Sequence, residues 1–227
     1  MKGKRIGISV CVVLMLIASS MVSATNVFED ELTQNKAERQ IKMNFNFIEP
    51  KLNQVMLGEK AYASVAMDLP TVGNVGEPEI PVKPVNVLLP YGKEIKEIKV
   101  NAEKRILVGK ARIAPKTEIV PIGENDFIYM VEENEEIYES SEEYPGDLYE
   151  IITTQYFRGF PIVTINLYPV QWNPSTEELY LYPNMELVVE LKDGVVNELF
   201  RGTEKDREIV TTMVDNPREV LTYPLNP

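Results

Sequence analysis

The stretch QYFRGFPIVTINLYPVQWNP, residues 155–174, followed by ELYLY at 178–182, decides the fold. It reads as strand, tight turn, strand, bend, strand. Arg158-Gly159 interrupts two apolar and aromatic runs, and Gly159 can take the positive φ that a tight turn requires. Asn173-Pro174 marks the next reversal. Phe160, Tyr168 and Trp172 bring large apolar areas to bury.

Working outward, residues 150–157, 162–168, 179–182 and 185–191 form four strand-like runs, separated at Arg158-Gly159, Asn173-Pro174-Ser175 and Asn184. Upstream, residues 42–47 alternate polar and apolar, the mark of a half-buried strand. Further strands are expected at 61–69, 85–89, 95–100, 105–113, 118–121 and 127–131. Pro70, Pro78, Pro81 and Pro84 forbid helix in the connection between 61–69 and 85–89. Pro90-Tyr91-Gly92 is a turn. Residues 132–145 are strongly acidic and read as a solvated loop. One helix is expected, starting at Thr203-Glu204-Lys205-Asp206 and running to about 214, before Asn216-Pro217. Short strands rich in Val, Ile, Tyr and Phe, without helices alternating between them, predict an all-β antiparallel sandwich with one short helix near the C-terminus. No internal repeat is evident.

The N-terminus reads as a signal peptide over residues 1–24. Lys2, Lys4 and Arg5 precede an apolar run at 6–17, and Val22-Ser23-Ala24 is a small-residue cleavage site, placing the cut between Ala24 and Thr25. The apolar run is short for a membrane span. An uncleaved N-terminal anchor is the alternative, because no charge falls between Arg5 and Glu29. Residues 25–41 form a polar spacer, 42–200 the β-sandwich domain, and 201–227 a C-terminal linker and helix. Export, with no stable membrane insertion after cleavage, is the expected localisation.

The 227 residues include 35 Asp and Glu against 23 Lys and Arg, a net charge of −12. The leader carries three positive charges, so its removal takes the net charge to about −15. Such a surface disfavours nucleic acid and anionic membranes, which need clustered basic residues. The chain has no histidine and one cysteine, Cys11, inside the leader. Cys–His and Ser–His–Asp catalysis are therefore excluded for the leaderless chain, as is a zinc site built from His and Cys. No disulfide can form within it, so a hydrophobic core must hold the fold.

Other chemistry finds little footing. The carboxylates Glu132, Glu133, Glu135, Glu136, Glu142, Glu143 and Asp147 lack the spacing of a calcium loop. Asn173-Pro174-Ser175 is no glycosylation acceptor, since proline fills its middle position. There is no glycine-rich phosphate loop. No cofactor and no metal are expected.

A second block, Gly76-Glu77-Pro78-Glu79-Ile80-Pro81, leads into the strand at 85–89 and Pro90-Tyr91-Gly92. By itself it is a rigid loop entering a strand. Together with Arg158-Gly159-Phe160-Pro161 and Asn173-Pro174, it resembles the propeptide of the gingipain family of cysteine peptidases over residues 43–227. In that family a Gly-x-Pro-x-[Leu/Ile]-Pro segment precedes a strand ending in Pro-x-Gly. The family-motif residues are then Gly76, Pro78, Pro81, Pro90, Gly92, Arg158, Gly159, Phe160, Asn173 and Pro174. The resemblance implies a non-catalytic β-sandwich that packs on a gingipain-like catalytic domain, acts as its intramolecular chaperone and keeps it latent. That α/β domain, with the catalytic His and Cys, would begin shortly after Pro227. The resemblance also implies a basic side chain placed in the peptidase's substrate pocket. Arg158 and Arg112 are the candidates here, and a carboxylate within 132–143 is the alternative.

Two other readings compete. A free-standing secreted β-sandwich binding module, for carbohydrate or a cell-surface protein, draws on 11 tyrosines and one tryptophan. An enzyme working by carboxylates alone has no distinguishable acid–base pair.

Overall fold

A computed structural model of the chain describes residues 40–226, apart from 104, 122–126 and 131. The expected signal peptide, its cleavage site and nearly all of the spacer lie outside the described residues. Gln40 opens the first strand.

Two three-stranded antiparallel sheets face each other, as the alternation of their strands demands. The first orders β1 (Gln40–Asn46), β15 (Asn184–Asp193) and β7 (Lys93–Ala102). The second orders β11 (Tyr149–Phe157), β12 (Phe160–Leu167) and β6 (Lys83–Leu88). Between them lies a core of Ile41, Val85, Val87, Ile98, Val163, Ile165, Leu167, Leu187 and Val189. β12 is buried on both faces. Val163, Ile165 and Leu167 point into this core, while Phe160 and Ile162 point outward under a second layer. That explains why its sequence is a nearly continuous apolar run rather than a strict alternation. The outward layer is α2 (Glu204–Thr211) and a 3-10 helix (Pro217–Thr222), which set Val210, Val220 and Tyr223 on Leu88, Phe160 and Ile162.

A second core adjoins the first. It is built on the sheet β13 (Val170–Asn173), β14 (Glu178–Leu181) and β8 (Ile106–Lys110), with the hairpin of β2 (Lys51–Leu57) and β3 (Lys60–Ala66). Trp172, Val170, Leu179, Leu181, Ile113 and Val65 fill it. The buried indole N–H donates to the Ala111 carbonyl at 3.0 Å, so the ring is buried without an unsatisfied donor. β12 reaches β13, and β14 reaches β15, across two residues each, so the same chain segments serve both cores.

The 155–182 reading holds at its first turn, but its middle strand is two, since β12 ends at Leu167 and β13 joins a different sheet. β11 and β12 join through Arg158-Gly159, with Phe157 opposite Phe160. Both turn residues take positive φ, 51° and 89°. That is the twist a two-residue hairpin needs. The acidic stretch 132–145 is less solvated than its charge suggests. It contains α1 (Glu135–Tyr138), and Tyr138 is buried, donating to the Ile113 carbonyl at 2.8 Å.

Candidate functional site

The two-stranded hairpin β9 (Glu118–Pro121) and β10 (Phe127–Met130) belongs to neither sandwich sheet. Its two feet meet at one residue. Gly76 donates its N–H to the Lys116 carbonyl at 2.8 Å, before β9, and accepts at its carbonyl from Asn134 N–H at 2.9 Å, after β10. Its φ is +89°, and an added Cβ would come within 3.0 Å of the Glu132 carbonyl oxygen. A side chain here would be strained and would push the feet apart. The neighbouring Pro78 bridges to Pro115, and Pro81 lies in β5 (Ile80–Pro81), which pairs with β4 (Thr71–Val72).

Beside these feet sits a polar cluster centred on Glu133. Its carboxylate accepts from Arg112 Nε at 2.9 Å and Nη2 at 2.8 Å, a two-pronged pair, and from the Tyr62 hydroxyl at 2.7 Å. Lys60 lies 3.7 Å away. The Arg112 guanidinium also lies over the Tyr138 ring, 4.9 Å from its centre. Hydrogen bonds from Arg112, above all, hold the Glu133 carboxyl down at about 2. Burial, reinforced by Glu133, pushes the Tyr62 phenol up to about 12. The cluster therefore stays a carboxylate, a guanidinium and a neutral phenol across ordinary pH. It floors an open cleft of about 1220 Å³ whose walls include the exposed carboxylates Glu59, Glu132, Glu135 and Glu136. Arg112, a sequence candidate, is thus on this face, but its charge is already engaged within the chain.

Arg158, the other candidate, is remote from it. It reaches from the β11–β12 turn to Asp206 in α2, which Arg201 also grips with contacts of 2.7–3.1 Å. Asp206 is 1% exposed. Its carboxyl is held at about 2, chiefly by the Arg158 hydrogen bond. The structure does not bring the two arginines together. It also places the remaining motif residues as framework. Pro90 accepts from Lys93 N–H in a turn through Gly92, and Gly92 accepts from Gly194 N–H. Gly159 lies against the Phe200 backbone, and Phe160 is fully buried. Asn173 closes its turn by accepting from Thr176 N–H at 3.1 Å, over a buried Pro174. Sequence reasoning named Glu133 only as one carboxylate of the acidic run and missed Tyr62, because Tyr62, Arg112 and Glu133 are brought together only by the fold.

The Tyr91 and Tyr156 rings are exposed, and Trp172 is fully buried. Among the described residues, no group of acidic side chains is placed to hold a metal ion, and no helix is long and apolar enough to cross a membrane.

The profile of the Propeptide_C25 family matches residues 30–214. The chain belongs to the Propeptide_C25 family. A Propeptide_C25 assignment agrees with likenesses to solved structures. One is a chain in the complex of Porphyromonas gingivalis RgpB pro- and mature domains. It has a TM-score of 0.62 and 18% identity, over 78% of this chain and 93% of that one. Another comes from work on the zymogenic latency of gingipain K from Porphyromonas gingivalis. It has a TM-score of 0.53 and 23% identity, over 70% of this chain and 89% of that one. At these identities the likeness is one of fold, and it bears out the antiparallel sandwich. No curated protein matches the chain.

Proposed function

We propose that this chain is the latency propeptide of a gingipain-like cysteine endopeptidase precursor. It is itself non-catalytic, is exported after cleavage between Ala24 and Thr25, and folds over and silences a catalytic domain. The observation that carries this reading is the family match over residues 30–214, on a fold shared with a chain from an RgpB pro- and mature-domain complex. The domain plan is a sandwich over 42–200 followed by a segment, 201–227, leading toward that catalytic domain.

For the pocket contact, Arg112 and Arg158 are carried forward, with the exposed carboxylates of 132–143 as the alternative. Each arginine must leave an internal carboxylate to fill a peptidase pocket, whereas Glu132, Glu135 and Glu136 need leave nothing of that kind.

The test is a titration of the leaderless chain against a gingipain-type catalytic domain. One-to-one loss of activity with a stable complex on gel filtration is expected. Full activity at a tenfold excess of the chain would refute the reading. Arg112→Ala and Arg158→Ala then locate the contact. A large rise in Ki at unchanged thermal stability marks a contact residue, and a rise that tracks lost stability marks a framework one.

A further inference from the structure

β6 is an outer strand, and an outer strand leaves alternate backbone N–H and C=O groups without ladder partners. In this chain they are taken by the segment after α2. Asn86 N–H donates to Asp215 Oδ2 at 2.7 Å, and the Asn86 carbonyl accepts from Asp215 N–H at 2.8 Å. Leu88 N–H donates to Asn216 Oδ1 at 2.8 Å, and Asn216 Nδ2 donates back to the Leu88 carbonyl at 2.9 Å. The Asn216 side-chain amide thus imitates a strand residue. Beyond it, Tyr91 N–H donates to Thr222 Oγ1 at 3.0 Å, and the Tyr223 hydroxyl donates to the Leu89 carbonyl.

The apolar contacts of this segment form a small patch of their own, distinct from both cores. The chain reaches it through an exposed crossing at 194–199, where Val195 is 88% and Leu199 68% exposed. The far end is pinned by Asn226, which donates its backbone N–H to the Gly202 carbonyl at 2.9 Å and its side-chain amide to the Arg201 carbonyl at 2.6 Å. A unit with its own patch, a polar seam and an exposed hinge has what a separately opening element needs.

We propose that residues 200–226 are a releasable strap, which opens from β6 while both cores stay folded, exposing the β6 edge together with Leu88, Phe160 and Ile162. The proposal stands on the seam itself and does not require the latency reading.

Native-state hydrogen exchange on the leaderless chain tests it. The amides of Asn86, Leu88 and Tyr91 donate to strap side chains, whereas Val163 and Val189 lie in central strands. The first three are expected to exchange at least about tenfold faster than the last two in the native chain. Asn216→Ala and Asp206→Asn should speed the Asn86 and Leu88 amides by about a further tenfold, with Val163 and Val189 unmoved. Equal exchange free energies for all five amides in the native chain would overturn the proposal. That comparison needs no variant to fold.

Discussion

Gly159 answers two demands at once. Its φ of +89° suits a two-residue turn, and the backbone of Phe200 lies where a side chain would begin. Gly159→Ala should therefore lower stability by about 2–4 kcal/mol in urea denaturation. Gly58→Ala is the control. Gly58 also has positive φ, +63°, but nothing lies within 4 Å of its added methyl, so about 1 kcal/mol is expected. The turn was legible in the sequence as Arg158-Gly159. The crossing of Phe200 was not, because it depends on where a segment 41 residues downstream lands. The same holds for Glu133. As one carboxylate in an acidic run it reads as solvated, and only the fold sets Arg112 and Tyr62 on it. Glu133→Gln should cost about 1–3 kcal/mol, through the weakened two-pronged pair. Glu133 and Asp206 both have lowered carboxyl values in the folded chain, so their ionised forms favour folding. That contribution is present above the ordinary carboxylate range near pH 4 and is lost as the pH falls toward about 2. A thermal midpoint measured from pH 5 to 2 should fall less steeply in Glu133→Gln than in the native chain.

Among the elements, several strands were legible from their residue types alone. β9 was read at its observed bounds, and β1 within two residues. β2 was missed. Its burial is irregular, and Asn53-Gln54 breaks the apolar alternation. α2 was legible at its start, where Thr203 accepts from Asp206 N–H at 3.2 Å as an N-cap. Thr203→Ala should lower stability by about 1 kcal/mol, measured by chemical denaturation. What the segment after α2 pairs with was not legible, since Asp215 and Asn216 find their partners 129 and 128 residues back in the chain. The open edge of the same sheet is treated differently. β11 carries an irregularity between Ile151 and Thr153, which bends an exposed strand away from regular pairing.

For the whole molecule, the two cores share continuous chain at the passages from β12 to β13 and from β14 to β15. They should unfold together. Trp172, the single tryptophan, reports on the second core, while far-UV circular dichroism reports on all the sheets. Coincident midpoints by the two probes are expected, and separated ones would show the cores to be independent. Hairpin β9–β10 stands apart from this shared framework, because a single glycine receives both of its feet. Such an attachment makes the hairpin a cartridge. A substitution at Gly76 should therefore disturb both ends of the hairpin at once, while the sandwich ladders, which do not include it, keep their pairing.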